Sequence, residues 1–184
     1  MTGPRACIYG GSFDPPHLGH AMASLWLLAT CPIDEVWWVP TARHAFGKRL
    51  GAFPARMALC EAAARHLRGV RVEGIEATLP GESRTIDTLE ALQAAHPDVQ
   101  FSVAFGTDLA EALPTFKRWD DLAARFPVYL VPRSPWSGEL GIPNVSSSAA
   151  RDALRRGDLV WLETWLDASV LARLAENITS PPDR

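Results

Sequence analysis

Two histidines three residues apart, His17 and His20, stand in a stretch whose other residues also suit phosphate chemistry. Apolar residues 6–9 run into Gly10 and Gly11. A loop with Ser12, Phe13, Asp14, Pro15 and Pro16 follows, and a helical pattern opens at His17. Glycines where a strand meets a loop let a ligand approach the backbone, because there is no Cβ to clear. Two prolines fix φ at a helix entrance, where a missing N–H costs nothing. Histidines at i and i+3 of a first turn share one face of the helix. That turn also presents free N–H groups and a positive dipole end, which favour a phosphate. The stretch reads as a phosphate-handling turn with two imidazoles aimed at it. Half a metal site is the rival reading of a histidine pair. No cluster of Cys and His at ligand spacing accompanies it, so no protein metal ligands are expected. The stretch matches neither G-x-x-x-x-G-K-[ST] nor G-x-G-x-x-G.

Residues 10–20, GGSFDPPHLGH, resemble the signature of the nucleotidyltransferase superfamily, whose H-x-G-H is shared with class I aminoacyl-tRNA synthetases. In this form the stretch is most similar to nicotinate-nucleotide adenylyltransferases. The resemblance implies an ATP-using transferase with His17 and His20 as its catalytic residues. It places Gly10, Gly11, Ser12 and Phe13 along ATP, with Ser12 also meeting the mononucleotide.

Further stretches extend the pattern. Gly106 and Asp108 close an apolar run, and a short carboxylate beside a glycine suits the hydroxyls of a ribose; the rival is an Asp that caps the next helix. The family resemblance favours the adenosine ribose. Ser146 and Ser147 open a helix with Arg151 one turn in, which is an anion site or simply a capped basic helix. Here it resembles the family's I-S-S-T-x-I-R motif, which holds ATP phosphates. The segment 83–89, SRTIDTL, resembles the family's S-Y-T-x-D-T-L. The resemblance brings Thr85 to a pyridine carboxylate, although a helix N-cap alone would explain a Thr there. By the same likeness Trp119 faces the nicotinate ring and Arg133 begins a divergent R-P-G segment near the mononucleotide. The loop 41–53 carries Arg43, His44, Lys48 and Arg49 after the second strand, where an open α/β sheet gathers ligand contacts. The family's P-P-H-K is altered there, leaving His44 as a mononucleotide candidate and Lys48 as a phosphate candidate.

These residues need elements to hold them. Short apolar runs at 6–9, 36–39, 70–72, 101–105 and 128–131 read as buried strands. Helical patterns lie between them, from His17 to Pro32, over 54–66, from Thr85, and from Ser146 onward. In the first helix Leu18, Met22, Leu25, Trp26 and Ala29 form the expected inward stripe. Strand and helix alternate throughout, so the expected fold is α/β. It is a single domain over 1–184 built on one doubly wound, mostly parallel Rossmann-like sheet with a helical C-terminal part and a polar tail from 179.

Composition sets outer limits. The chain has 184 residues, 47% hydrophobic and 21% charged, with a net charge of −3, which is ordinary globular composition. That balance gives no footprint for nucleic acid. Cys7, Cys31 and Cys60 have no paired spacing. No signal-peptide pattern or run of about 18 apolar residues appears, so a cytoplasmic location is expected. The combined reading is adenylyl transfer from ATP to nicotinic acid mononucleotide, with Mg²⁺ carried mainly by the phosphates. Nicotinamide mononucleotide, phosphopantetheine and a non-catalytic nucleotide-binding regulator are the alternatives. No membrane partner is expected, and a homo-oligomer stays open.

Overall fold

A computed structural model describes residues 3–43, 49–133, 143 and 145–179. Its centre is a five-stranded parallel sheet. The strands are β1 (Arg5–Gly11), β2 (Glu35–Pro40), β3 (Val70–Val72), β4 (Gln100–Gly106) and β5 (Val128–Val131). Their order is β3-β2-β1-β4-β5, so the chain winds outward one way from β1 and then the other way from β4. Helices α1 (Leu18–Thr30), α2 (Phe53–Ala64), α3 (Thr85–Ala95) and α4 (Trp119–Arg125) connect them. Helices α5 (Ser147–Arg156), α6 (Leu159–Trp165) and α7 (Ala168–Thr179) follow β5. The expected doubly wound α/β sheet is present.

Period-two alternation explains how one sheet feeds two cores. Side chains along a strand point to opposite faces in turn. Ile8, Trp37, Val39 and Val103 therefore face one layer, where Ile86, Leu89 and Leu92 of α3 cover them. Cys7, Tyr9, Val36 and Trp38 face the other, against Ala23 and Leu27 of α1 and Cys60 of α2. Both faces are covered, as parallel sheets require. A smaller cluster seats Leu59 of α2 against Ala150, Ala153, Leu162 and Val170 of the last three helices. Among the described residues no helix is long and apolar enough to cross a membrane.

α1 differs from the periodicity reading. Leu18 and Leu25 are 43% and 50% exposed, and Gly19, Ala23, Ser24 and Leu27 are the buried positions. The helix turns its small residues to the sheet, which allows close approach. Ser24 is satisfied there, because Trp38 Nε1 donates to its Oγ at 2.7 Å. The segment 73–84, which reads as plain loop, contains a short 3₁₀ turn at Ile75–Thr78. That turn buries Glu76.

Leu89 lies wholly inside the β1–β2–β4 layer. Leu89→Ala should lower the unfolding free energy by about 2–5 kcal/mol, the usual cost of such a cavity. Urea denaturation with an unchanged slope checks it. A loss under about 1 kcal/mol would mean that α3 is not packed as described.

Candidate active site

The strand order reverses between β1 and β4, and the carboxyl end of such a switch point is where an open sheet binds ligands. Two cavities meet there. The first, about 330 Å³, holds His17, His20, Arg133 and the start of α5. The second, about 400 Å³, holds Thr41, Glu76, Thr85, Thr88 and Phe116. Gly10, Gly11, Ser12, Phe105 and Leu109 line both. A Cβ added to Gly10 would meet nothing within 4 Å, so the floor between the cavities is bare toward the space that they share.

The histidine pair is fixed by backbone and by packing. His17 is the N-cap of α1, with extended backbone. Its own N–H donates to His20 Nδ1 at 3.1 Å. An Nδ1 that accepts carries no proton, so the proton of neutral His20 sits on Nε2. The rings lie 3.8 Å apart between centroids. Phe13 stays buried despite a left-handed φ of 46°, a conformation costly for a side chain with a Cβ. Its ring sits 4.5 Å from His20 and stacks on Trp38 at 5.2 Å, and that burial offsets the cost. Gly19 leaves room for His17, since a Cβ there would come within 3.0 Å of its Nδ1. That Nδ1 is itself buried and has no hydrogen-bond partner.

Burial, and then the Arg133 charge, push His17 down to about 3. Burial, His17 and Arg133 together hold His20 well below the ordinary imidazole range. Burial thus favours the neutral form of both rings.

The other expected residues divide. Gly106, Ser146 and Ser147 line the first cavity with the histidines, and Thr85 lines the second. Asp108 stands beside them and pairs with Arg133, whose Nη1 donates to Oδ2 at 3.2 Å. The sequence reading puts Arg133 with the mononucleotide, whereas its side chain lines the first cavity. It is anchored there by donation to Val145 O at 3.0 Å. Arg151 is directed at the signature loop: Nη1 donates to Asp14 O and Nη2 to Ser148 Oγ. Ser147 Oγ likewise donates to Pro15 O at 3.0 Å, so α5 docks on that loop. Trp119 is not among the residues lining either cavity. It packs behind Phe105, 6.1 Å between centroids, and Phe116 faces the second cavity instead. Thr85 is the first residue of α3, and the N-cap position falls to Arg84 without a side-chain cap. His44 and Lys48 lie outside the described residues. Among the described residues no three His, Cys, Asp or Glu come together as a metal-ligand set.

Two buried charges were not anticipated. Arg56, 2% exposed, donates to Gly51 O at 2.9 Å, Ser12 O at 2.8 Å and Thr41 O at 2.7 Å. Glu76, 8% exposed, accepts from Ala42 N–H at 3.0 Å and from Thr88 Oγ1 at 2.9 Å. Arg56 had a signal, because it falls on the stripe of Cys60 and Ala64 at i+4 and i+8. Glu76 sits in a loop without periodicity and had none.

The neutral histidines predict a pH dependence. Between an ordinary value of about 6.5 and the folded value of about 3, the unfolded chain binds a proton that folded His17 does not. Stability therefore rises with pH in that window and falls on acidification. His20 adds with the same sign. From about pH 6.5 to 5, before carboxylates titrate, the unfolding free energy should drop by up to about 1.4 kcal/mol per pH unit for each ring. The slope should flatten in a His17→Asn/His20→Asn double variant. Equal slopes in both proteins would contradict neutral burial.

Comparison with known proteins places the geometry. Residues 8–153 match the family model described as cytidylyltransferase-like. A probable nicotinate-nucleotide adenylyltransferase of Anaeromyxobacter sp. (strain K) is 43% identical over 165 residues, covering 86% of this chain and 88% of its own. One from Myxococcus xanthus is 38% identical over 159 residues, 84% of each chain. Among solved structures, the Plasmodium falciparum nicotinic acid mononucleotide adenylyltransferase complexed with NaAD superposes with a TM-score of 0.81. It is 20% identical and covers 96% of this chain and 97% of its own, which is likeness of fold. The signature loop, the switch-point cavities and relatives at this identity lead to one conclusion: the chain belongs to the nicotinate-nucleotide adenylyltransferase family of cytidylyltransferase-like proteins.

Proposed function

We propose that the chain transfers the adenylyl group of ATP to nicotinic acid mononucleotide, releasing pyrophosphate and forming the deamido dinucleotide of NAD biosynthesis. One observation carries the reading: two nucleotide-sized cavities abut over Gly10, Gly11 and Ser12, with the histidine pair in one of them. Two nucleotides seated there would meet phosphate to phosphate. The names of the relatives supply the substrate identities.

In this reading ATP occupies the first cavity and the mononucleotide the second. An oxygen of the mononucleotide 5′-phosphate attacks the α-phosphorus in line, and the bond to the β-phosphate bridging oxygen breaks. Such transfer needs positioning and charge stabilisation more than covalent chemistry. His20 Nε2–H is the donor aimed at the charge that builds on the phosphate, with His17 beside it. Neutral donors bind the ground state less tightly than cations would, and incoming phosphate charge strengthens them as the transition state forms. Asp108 is assigned to the adenosine ribose. Arg133 adds positive charge, with the hydroxyls at the start of α5 and Arg151 behind them. The first turn of α3 at Thr85 offers N–H groups and dipole to a pyridine carboxylate, and Phe116 offers a ring face. The described residues supply no carboxylate set for a resident divalent ion. Mg²⁺ carried by the phosphates of ATP would supply charge neutralisation for the leaving pyrophosphate. The free thiols fit a cytoplasmic enzyme.

Pyrophosphate release from ATP, measured with nicotinate mononucleotide, nicotinamide mononucleotide and phosphopantetheine, tests the assignment. The nicotinate form should lead in kcat/KM by at least about tenfold, 1.4 kcal/mol of discrimination. No preference would overturn the substrate. His20→Ala should keep its fold and lose about 10²–10³ in kcat, the usual cost of one donor to developing charge. Normal turnover would remove His20 from that role.

A further inference from the structure

The contacts of Arg56 and Glu76 converge on a single peptide unit. Thr41 O accepts from Arg56 Nη2 at 2.7 Å, and the N–H of Ala42, the other end of the same amide, donates to Glu76 Oε2 at 3.0 Å. A buried cation thus holds the negative end of the peptide dipole and a buried anion holds the positive end. The two charges are joined through that peptide and not by a direct ion pair. Each charge also holds a part of the cavity lining. Arg56 Nη1 holds Ser12 O, on the floor shared by both cavities. The second oxygen of Glu76 takes the hydroxyl of buried Thr88, on the α3 wall of the second cavity.

We propose that Arg56 and Glu76 are positioning residues that clamp the Thr41–Ala42 peptide from both ends. They thereby set the width of the second cavity between the end of β2 and the first turn of α3. The proposal rests on the assignment of that cavity to the mononucleotide. Burying charges in a wall is costly unless they are hydrogen-bonded, and here the peptide supplies one partner to each charge, with Gly51 O and Ser12 O beside it for Arg56 and Thr88 Oγ1 for Glu76. The two partners of Glu76 are unequal. Thr88 Oγ1 has a second acceptor in Arg84 O at 3.1 Å, whereas among the described residues the Ala42 N–H has Glu76 as its one acceptor. Loss of Glu76 would therefore free the β2 edge of the cavity first and leave α3 in place. The ATP side has its own anchors in Arg133, Val145 and the docked α5, so it should not respond.

Steady-state pyrophosphate release, with KM for each substrate measured at saturation of the other, separates positioning from simple stability. In Glu76→Gln, KM for nicotinate mononucleotide should rise about tenfold or more, the weight of one charge-assisted hydrogen bond. KM for ATP and kcat should stay within about twofold. Thr88→Val, which removes only the partner on α3 and leaves the Ala42 N–H held, should shift the same KM in the same direction by less. An unchanged mononucleotide KM in folded Glu76→Gln overturns the clamp, and so does an equal rise in both KM values. If Glu76→Gln does not fold, Thr88→Val decides, and an unchanged mononucleotide KM in it overturns the clamp. Wild-type enzyme without turnover of nicotinate mononucleotide defeats the substrate reading and this proposal together, whereas normal wild-type turnover with unmoved variants defeats the clamp alone.

Discussion

A single backbone N–H, that of His17, donates to His20 Nδ1, and the chemistry of the site follows from it. The contact exists only if Nδ1 is unprotonated, so it selects a neutral ring with its proton on Nε2. Much of the surrounding structure serves that geometry. Phe13 accepts a left-handed φ to place its ring under His20, and Trp38 backs Phe13 from β2. Gly19 withholds a Cβ that would press on His17. The same packing buries much of both rings, and that burial, with the nearby Arg133 charge, favours the uncharged imidazoles. One arrangement thus fixes ring, tautomer and charge before any phosphate arrives.

The segment 12–16 that leads into the histidine turn has no regular structure of its own, so it is held from outside. Arg56 satisfies carbonyls in the signature loop and in the segment after β2 at once. Asp14 accepts from Gly51 N–H at 3.1 Å, and α5 adds Arg151 and Ser147 from the other side. A guanidinium suits this task because its donors lie in one rigid plane and can meet several carbonyls together. The cost of burying its charge is offset only when those acceptors are all present.

How much of this could be read in the chain depended on the kind of interaction. Strand and helix alternation is a local, periodic signal, so the parallel sheet and the inward face of α3 at Ile86, Leu89 and Leu92 were legible. The short motif at 10–20 was legible too, because close spacing alone puts His17 and His20 on one turn. In α1 Met22 and Trp26 of the expected stripe pack against the core, and Leu18 and Leu25 do not. Periodicity favours large apolar residues, whereas the packing chose Gly19 and Ala23 for close approach and left Leu25 outside. Trp119 and Arg133 depended on contacts across many residues, with Phe105 and with Asp108 and Val145. Such contacts leave no trace in local sequence. Glu76 was invisible for the same reason: its partners lie in the segment after β2 and in α3.

The neutral, Nε2-protonated state of His20 is the claim on which the catalytic account stands. Nitrogen-15 NMR of histidine-labelled protein, free of nucleotide, reads it directly from the two ring nitrogens at about pH 7 and again at about pH 6, where an ordinary imidazole is mostly protonated. The account predicts an unprotonated Nδ1 and a protonated Nε2 on His20 at both values, without titration between them. An imidazolium at pH 7, or a proton resident on Nδ1, would contradict it.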